Sequence, residues 1–326
     1  MTKIYRALLG TAAALCLAGT AALPAAAQEV QLSALNFLPN NSSFGIPFAD
    51  WVEDANKAGA GIVKITIRPA GSISPFQMGN AIKTGVVDMA ALPPTFYQNL
   101  LPIGDALKLT KKTAVEMRAN GTIDFLDKLH MEKVNAHLLD ISAFQVKFYL
   151  YLRDKKIDTP NLKGMKIRTT PVYRAFFRAL GADLIQTAPG DVFIALERGT
   201  IDGYGWPSWD LKTPGWDKHT KYRVEPGFYA VANATIINLD KWKSLTDKQR
   251  DFLTQHSRKF EAEFDKRYAP KTEAYLKEQK DAGVQVIEFK GKVAEDYLKT
   301  AYDSAWAEFM QLDPENTPKL RKLIDN

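Results

Sequence analysis

The sequence contains a single cysteine, Cys16, among its 326 residues. One cysteine excludes a disulfide within the chain and any metal site built from several thiolates. Histidine is also scarce: the chain has only His130, His137, His219 and His256, and their spacing matches no metal-binding motif. We therefore expect no metal site.

The sequence motifs of common enzymes are missing as well. The chain has no G-x-S-x-G nucleophile elbow, no Walker loop, no G-x-G-x-x-G fingerprint and no H-E-x-x-H zinc motif. A hidden pair of catalytic carboxylates stays open, since no motif marks such a pair among the 37 acids. The 43 basic residues are interspersed with the acids, which is typical of a solvated surface. We expect no cofactor and no nucleic-acid partner.

Residues 1–27 are typical of a secretory signal peptide. Lys3 and Arg6 precede an apolar run over residues 7–23, and a small-residue cleavage signal ends at Ala27. A membrane anchor is the alternative, but the run is rich in Ala and Gly and only marginally long enough to span a bilayer. Cleavage after Ala27 removes two cations and no acid, which lowers the formal net charge from +6 to +4. We expect a mature protein in the periplasm.

Strand and helix patterns alternate after this segment. Strands are predicted over residues 30–37, 62–67 and 86–90 from their apolar periodicity. A helix around Trp51 and a helix over residues 76–84 lie between them. This order predicts an α/β protein with a mostly parallel sheet and helices on its faces.

One short motif occurs twice. Residues 81–88 (A-I-K-T-G-V-V-D) and 195–202 (A-L-E-R-G-T-I-D) share Ala, an aliphatic residue, two polar residues, Gly, a variable residue, a β-branched residue and Asp. In both copies the Gly could end a helix, and a strand could follow. Chance could supply such a junction, but the constant offset of 114 residues favours two related lobes.

The second copy lies in a further α/β unit. Strands are predicted over residues 165–168, 183–187 and 200–203, and a helix begins at Thr170 and Pro171. 

A return strand and a long helix follow this unit. The strand is predicted over residues 230–237, and Thr246 with Gln249 forms a capping box that opens a helix to about residue 279. Such a helix would be on the order of 50 Å long and would lie across both lobes. Two helices split at Pro270 are the alternative.

Two features suggest a ligand site. Arg168 lies at the carboxyl end of a predicted strand and just before a helix start, where open α/β sheets bind ligands and a guanidinium could grip a carboxylate. A surface arginine paired with an acid is the alternative. Trp206 and Trp209 lie in a segment expected to be a loop after the last strand, where they could form a flat pocket wall or fill the core.

Longer stretches resemble a known family, the extracytoplasmic receptors of TRAP transporters, also called the C4-dicarboxylate-receptor family. The similar stretches are residues 162–169 (L-K-G-M-K-I-R-T), 176–182 (F-F-R-A-L-G-A), 192–203 (V-F-I-A-L-E-R-G-T-I-D-G) and 237–242 (I-N-L-D-K-W). The resemblance covers essentially the whole mature chain. It implies a two-lobe periplasmic binding protein fold with hinge strands and a long helix spanning both lobes.

The resemblance also implies lobe boundaries, a ligand contact and partners. Lobe I would comprise residues 28–145 plus 234–275, and lobe II residues 146–233 plus 276–326. The family's carboxylate-gripping arginine corresponds to Arg168. We expect a monomer that captures an organic acid anion, closes around it and delivers it to TRAP membrane subunits, which the family drives with an ion gradient.

Departures from the family pattern suggest the ligand. Many members carry a second arginine on the preceding crossing strand, where this chain has Lys147, Phe148 and Tyr149, and members that bind polar acids often have Asn in place of Trp206. A less polar pocket favours a monocarboxylate with an apolar or aromatic body. The other residues expected at the ligand are Tyr173, Trp209, Phe37, Ser43, Phe44, Pro93 and Tyr97. A secreted enzyme acting on a small carboxylate, or a receptor feeding a signalling protein, is the alternative function.

Overall fold

The computed structural model describes residues 29–325, so the predicted signal peptide lies outside the described residues. Within them, eleven strands form two sheets and are joined by α-helices and short 3-10 or π turns. The strands are β1 (Val30–Asn36), β2 (Val63–Ile67), β3 (Met89–Leu92), β4 (Ala136–Ser142), β5 (Phe148–Leu152), β6 (Lys166–Thr169), β7 (Asp183–Gln186), β8 (Gly203–Pro207), β9 (Tyr222–Glu225), β10 (Asn233–Asn238) and β11 (Gln285–Glu288). The helices are α1 (Ile46–Ala58), α2 (Pro75–Lys83), α3 (Ala114–Ala119), α4 (Thr122–Leu129), α5 (Pro171–Ala179), α6 (Val192–Glu197), α7 (Leu239–Ser244), α8 (Asp247–Asp281), α9 (Gly291–Leu312) and α10 (Thr317–Asp325).

Both sheets mix parallel and antiparallel strands. The first has the order β2-β1-β3-β10-β4, in which β10 runs antiparallel to both neighbours and β1 parallel to both of its own. The second has the order β11-β9-β5-β8-β6-β7, in which β5 runs antiparallel to β8 and β9, and β6 parallel to β7 and β8. The predicted two-lobe α/β fold is confirmed, with one sheet in each lobe.

Two crossing segments connect the sheets. Residues 143–147 lead from β4 to β5, and residues 226–232 lead from β9 to β10. The segments pair with each other: the Val231 amide donates to the Val146 carbonyl (2.8 Å), and the Phe148 amide donates to the Tyr229 carbonyl (3.0 Å). A bend of the two lobes about this paired ribbon would change the space between the sheets.

The long helix α8 is continuous through Pro270, so the alternative of two separate helices is wrong. The predicted capping box of Thr246 and Gln249 opens it. Near its middle, Glu261 accepts from the Ile141 amide of the first sheet (2.9 Å), and near its end the Gln279 side chain donates to the Ser208 carbonyl beside the second sheet (2.7 Å). The helix therefore contacts both lobes.

Three strand predictions were displaced. The strand predicted at residue 86 begins at Met89, and Val86 is 55% exposed. The return strand begins at Asn233, because residues 230–232 belong to the crossing ribbon.

None of the helices within residues 29–325 combines the length and the hydropathy that crossing a membrane requires.

The third displaced strand contains Trp206, which the sequence led us to expect in a loop. The strand predicted over residues 200–203 is β8, which starts at Gly203 and includes Trp206. The glycines of β8 make its sequence look like that of a loop, but in the structure they let neighbouring residues pack closely against the strand. A Cβ at Gly203 would lie 2.5 Å from the Tyr151 carbonyl oxygen, and one at Gly205 would lie 2.7 Å from the Tyr173 ring.

The repeated motif has the same structure in both lobes. In each copy the glycine ends a helix with a positive φ, 72° at Gly85 and 66° at Gly199. The following aspartate accepts from a backbone amide in the neighbouring parallel strand: Asp88 from Ser33 (2.7 Å) and Asp202 from Lys166 (2.8 Å). The motif thus joins the start of one strand to the adjacent strand, as the idea of two related lobes predicts.

Candidate ligand-binding site

Arg168 lies in β6, beside the first turn of α5. Its side chain is fully buried. Nε and Nη2 donate to the Thr187 carbonyl (3.2 and 2.8 Å), and Nη1 donates to the Tyr173 hydroxyl (2.7 Å) and the Gly205 carbonyl (3.4 Å). The guanidinium is thus fixed at the carboxyl ends of the parallel strands β6 and β7, where the sequence predicted it.

In all four of these hydrogen bonds, Arg168 donates to an uncharged oxygen atom. Within residues 29–325 Arg168 has no salt bridge to a carboxylate, and Asp191 affects it only through space. Burial lowers the pKa of Arg168, because a charged group loses its hydration there. A buried cation without a direct counter-anion is costly, so an incoming carboxylate would be stabilised strongly beside it.

A narrow cavity of about 40 Å³ lies between the two lobes next to this arginine. Its walls are almost entirely apolar, and three of its lining residues, Thr95, Thr170 and Tyr173, carry hydroxyl groups. One side of the lining comes from the first lobe (Phe37, Phe44, Pro93, Thr95, Phe96), and the other from the second lobe and the crossing ribbon (Phe148, Thr170, Val172, Tyr173, Pro189, Trp206, Pro207, Val231).

Two hydroxyl groups at the cavity differ in whether they are free to bind a ligand. Thr95 Oγ1 is buried and has no hydrogen-bond partner within the described chain, so it could donate to a ligand or accept from one. The Tyr173 ring lines the cavity while its hydroxyl reaches Arg168 and donates to the Gly205 carbonyl (2.6 Å). Tyr173 therefore lies between the cavity and the guanidinium, and Arg168 itself is absent from the lining.

Trp206 forms one wall of the cavity. Its Nε1 donates to the Trp209 carbonyl (3.1 Å), and its ring meets Trp216 edge-on with 4.5 Å between centroids. Across the cleft, Phe44 approaches the same ring edge-on at 6.4 Å. These contacts fix the orientation of a flat apolar surface that an aromatic or branched ligand body could pack against.

The structure brings six of the expected residues together around the cavity: Phe37, Phe44, Pro93, Phe148, Tyr173 and Trp206. It places the other expected residues elsewhere. Lys147 lines a separate groove, and Tyr149 packs on Arg223 (5.4 Å from guanidinium carbon to ring centroid). Lys147 and Phe148 are consecutive, and consecutive strand residues point to opposite faces.

Three more expected residues are buried without reaching the cavity lining. Trp209 stacks on Phe44 (5.0 Å between centroids), and its Nε1 donates to Thr272 Oγ1 of α8 (2.7 Å). Tyr97 pairs with His130 inside the first lobe (3.0 Å). Ser43 is 3% exposed and adjoins the lining residue Phe44. Of the three, Trp209 is the one that supports a cavity wall from behind, through its stacking on Phe44.

Several lining residues were not singled out from the sequence: Thr95, Phe96, Thr170, Val172, Pro189, Pro207 and Val231. Pro189 could have been predicted from the sequence, because it follows the carboxyl end of β7 and begins a 3-10 turn. Arg168 was predicted from the same kind of position, at a strand's carboxyl end before a helical turn. Among residues 29–325, no three His, Cys, Asp or Glu side chains are grouped closely enough to hold a metal ion.

Comparison with known proteins agrees with this architecture. A family model described as bacterial extracellular solute-binding protein, family 7 (DctP) matches residues 36–312. The chain is 22% identical over 210 residues to a monocarboxylate 2-oxoacid-binding periplasmic protein of Nostoc sp., a match that covers 59% of this chain and 56% of that protein. The chain thus spans about half the length of the curated relatives it matches.

Solved structures share the fold at low sequence identity. A TRAP periplasmic solute-binding protein of Desulfovibrio salexigens with bound orotic acid has a TM-score of 0.81 at 17% identity and covers 90% of this chain and 97% of its own. Another from Roseobacter denitrificans, with bound L-galactonate, has a TM-score of 0.75 at 19% identity and covers 91% and 99%. The resemblance to TRAP receptors is therefore confirmed, and the chain belongs to the bacterial extracellular solute-binding proteins of family 7.

Proposed function

We propose that this protein is a periplasmic receptor that captures a monocarboxylate with an apolar or aromatic body and delivers it to TRAP membrane subunits. The observation that carries the proposal is the guanidinium of Arg168, which is fully buried, bonded only to neutral acceptors and adjacent to an apolar cavity. The proposed role is binding without catalysis, so the ligand would be released from the protein in the same chemical form in which it was bound.

The charge balance of the site favours one carboxylate. Within the described chain no lysine or arginine lines the cavity. Two buried cations lie behind lining residues: Lys108 is already paired with Asp105 (2.8 Å), whereas Arg168 behind Tyr173 has no carboxylate partner and is therefore the cation free to receive an anion. A second carboxylate on the ligand would be buried against phenylalanine, proline and tryptophan without a partner, at a cost of several kcal/mol. This argument disfavours dicarboxylates such as succinate.

The relatives support an organic acid but differ in its form. The Nostoc protein is named for monocarboxylate 2-oxoacids, whereas the two structural neighbours hold orotic acid and L-galactonate. A polyhydroxylated acid needs many hydrogen-bond partners, and this lining supplies few. The apolar walls therefore favour a ligand nearer to the 2-oxoacid and ring-acid end of that range.

Contacts between the lobes suggest how the ligand is retained. The buried Lys108 ammonium of the first lobe donates to the carbonyl of Val172, which also lines the cavity. At the neighbouring cleft, Arg174 of α5 donates to the Gln98 side chain (3.2 Å). These bonds form only when the lobes are close together, so a hinge motion about the crossing ribbon would open and close the site.

The proposal is tested by titrating the purified mature protein in a calorimeter. The panel contains 2-oxo monocarboxylates, aromatic monocarboxylates, succinate, malate and galacturonate. We expect a monocarboxylate to bind best, and Arg168→Ala to lose at least a hundredfold in affinity, since the ligand carboxylate would be buried without a partner. Arg168→Lys keeps the charge but loses the fork geometry and should bind at an intermediate level.

Arg198 provides the matched control, because it is an exposed arginine on the same lobe. Arg198→Ala should bind like the wild type. Thermal unfolding of each variant separates loss of binding from loss of folding. A clear preference for succinate or malate, or near-wild-type affinity in folded Arg168→Ala, would refute the proposal, and conversion of the ligand during incubation would indicate an enzyme.

A further inference from the structure

A second concave surface lies on the opposite side of β5 from the cavity. Phe148 faces the cavity, and Lys147 beside it faces a groove of about 820 Å³. The groove lies where the crossing ribbon meets the first lobe and the two C-terminal helices. We call it the basic groove; its lining is Leu109, Lys111, Lys112, Glu116, Lys147, Gly227, Phe228, Leu298, Lys299, Tyr302, Asp303, Ile324 and Asp325.

The floor of the basic groove is apolar and firmly packed. Leu109, Phe228 and Ile324 are each at most 5% exposed, and Leu298 and Tyr302 of α9 are half-buried around them. Such a floor can receive an apolar side chain at little cost, because its own residues are already ordered by the core.

Two lysines on the rim have no acidic partner. Lys111 follows the 3-10 turn of the first lobe, and Lys147 belongs to the crossing ribbon, so distant parts of the chain bring the two cations together. Neither forms a salt bridge within residues 29–325. Partial burial, and then the charge of Lys111, lower the pKa of Lys147, so the two ammonium groups repel each other.

The acids of the groove are already engaged by other groups. Glu116 caps α3 by accepting from the Thr113 amide (2.7 Å), with Lys112 close enough to stabilise its charge. Asp303 pairs with Lys299. Asp325 pairs with Arg321 at 3.1 Å. The positive charge of Lys111 and Lys147 is therefore left uncompensated beside an apolar floor.

We propose that the basic groove binds an acidic segment of a protein partner, with carboxylates between Lys111 and Lys147 and an apolar side chain on the floor. Charge complementarity, and a volume of about 820 Å³ with an apolar floor, favour a peptide over a single small anion. A flat anionic membrane is disfavoured, because the lysines line a concavity whose rim also carries Glu116, Asp303 and Asp325. This inference is independent of which acid the central cavity holds.

The experiment measures binding of a fluorescently labelled probe peptide, Glu-Leu-Glu-Glu-Leu-Glu, to the mature protein by anisotropy. We expect affinity that falls as salt rises, since the interaction is electrostatic. Lys111→Gln and Lys147→Gln should each weaken binding about threefold to tenfold, and the double variant by more than tenfold. Lys111→Glu is a second variant, which reverses the charge. Lys111 is exposed, so this substitution should weaken peptide binding without unfolding the protein.

Lys64→Gln is the matched control, since Lys64 is an exposed lysine of β2 that also lacks an acidic partner. It should leave peptide binding unchanged, and a peptide with Gln in place of Glu should not bind. Equal affinity in Lys111→Glu and the wild type would overturn the proposal. So would tighter binding to phosphatidylglycerol vesicles or to pyrophosphate than to the peptide, since those results would indicate a membrane or a small-anion site.

Discussion

Removing the hydroxyl of Tyr173 should strengthen ligand binding. This hydroxyl accepts from Nη1 of Arg168 (2.7 Å) and donates to the Gly205 carbonyl (2.6 Å), while its ring lies between the cavity and the guanidinium. A carboxylate that reaches Nη1 must therefore displace the hydroxyl. Tyr173→Phe keeps the ring against Gly205 and removes the group that competes with the ligand.

The magnitude follows from the two hydrogen bonds. The bond to the neutral Gly205 carbonyl is worth about 0.5–1.5 kcal/mol net and the bond from the charged guanidinium about 1.5–3 kcal/mol, so the free variant should lose about 2–4.5 kcal/mol of unfolding free energy. In the wild type the ligand must break the Tyr173–Arg168 bond before it can bind Nη1, and in the variant it need not. We therefore expect affinity to rise about tenfold or more, since a factor of ten corresponds to about 1.4 kcal/mol.

Calorimetry with the best monocarboxylate of the panel measures this effect, and urea denaturation measures the loss of stability. Tyr149→Phe is the control, because Tyr149 lies outside the cavity lining and contacts Arg223 instead. If Tyr173→Phe binds the acid three or more times more weakly than the wild type, the hydroxyl contacts the bound ligand directly. The displacement argument would then be wrong, although the assignment of Arg168 would stand.

Three further changes test the packing and the electrostatics. Gly205→Ala should cost about 1–3 kcal/mol of unfolding free energy, because its Cβ would lie 2.7 Å from the Tyr173 ring, whereas Gly190→Ala has open space and should be tolerated. Thr246→Ala should cost about 1 kcal/mol in urea denaturation by breaking the capping box of α8; an unchanged midpoint would contradict this. Burial and the charge of Glu261 raise the pKa of Asp140, so the folded state holds its proton more tightly than the unfolded state. The wild type should therefore lose stability as pH rises above about 4, by up to 1.4 kcal/mol per unit, until the folded-state pKa is passed. Asp140→Asn should flatten that dependence in unfolding measured at pH 4.5 and 7, and an unchanged slope would refute the cause.

Features of the fold that depend on neighbours in sequence were predictable. The capping box at Thr246 and the glycine stop at Gly85 follow from local backbone chemistry, and both are present. The strand β8 was misplaced because its sequence, G-Y-G-W-P, has the composition of a loop. Its conformation is set by distant residues, Tyr151 and Tyr173, which leave no room for a Cβ at its glycines.

The candidate site also contains residues whose positions follow from local sequence and residues whose positions depend on distant packing. The position of Arg168 follows from strand and helix order, so the sequence was sufficient to predict it. The position of Tyr173 between the arginine and the cavity depends on how α5 packs on β8, which no local pattern encodes. Thr95 lies between Pro93 and Tyr97, in a loop that the sequence places at the cleft, but which side chain of that loop lines the cavity depends on how the two lobes pack together.

The alternation of side chains along β5 connects the two proposals. Phe148 lines the cavity and the preceding Lys147 lines the basic groove, so Lys147 adds no positive charge to the lining of the ligand site. Beside the cavity, Lys108 is neutralised by Asp105 and Arg168 has no carboxylate partner within the described chain, which matches a ligand with one carboxylate. Lys147 instead lies with Lys111 on the other face, where the two cations can recognise a partner's acidic segment. One strand thus sets both the charge that the ligand must carry and the charge that the outer surface offers.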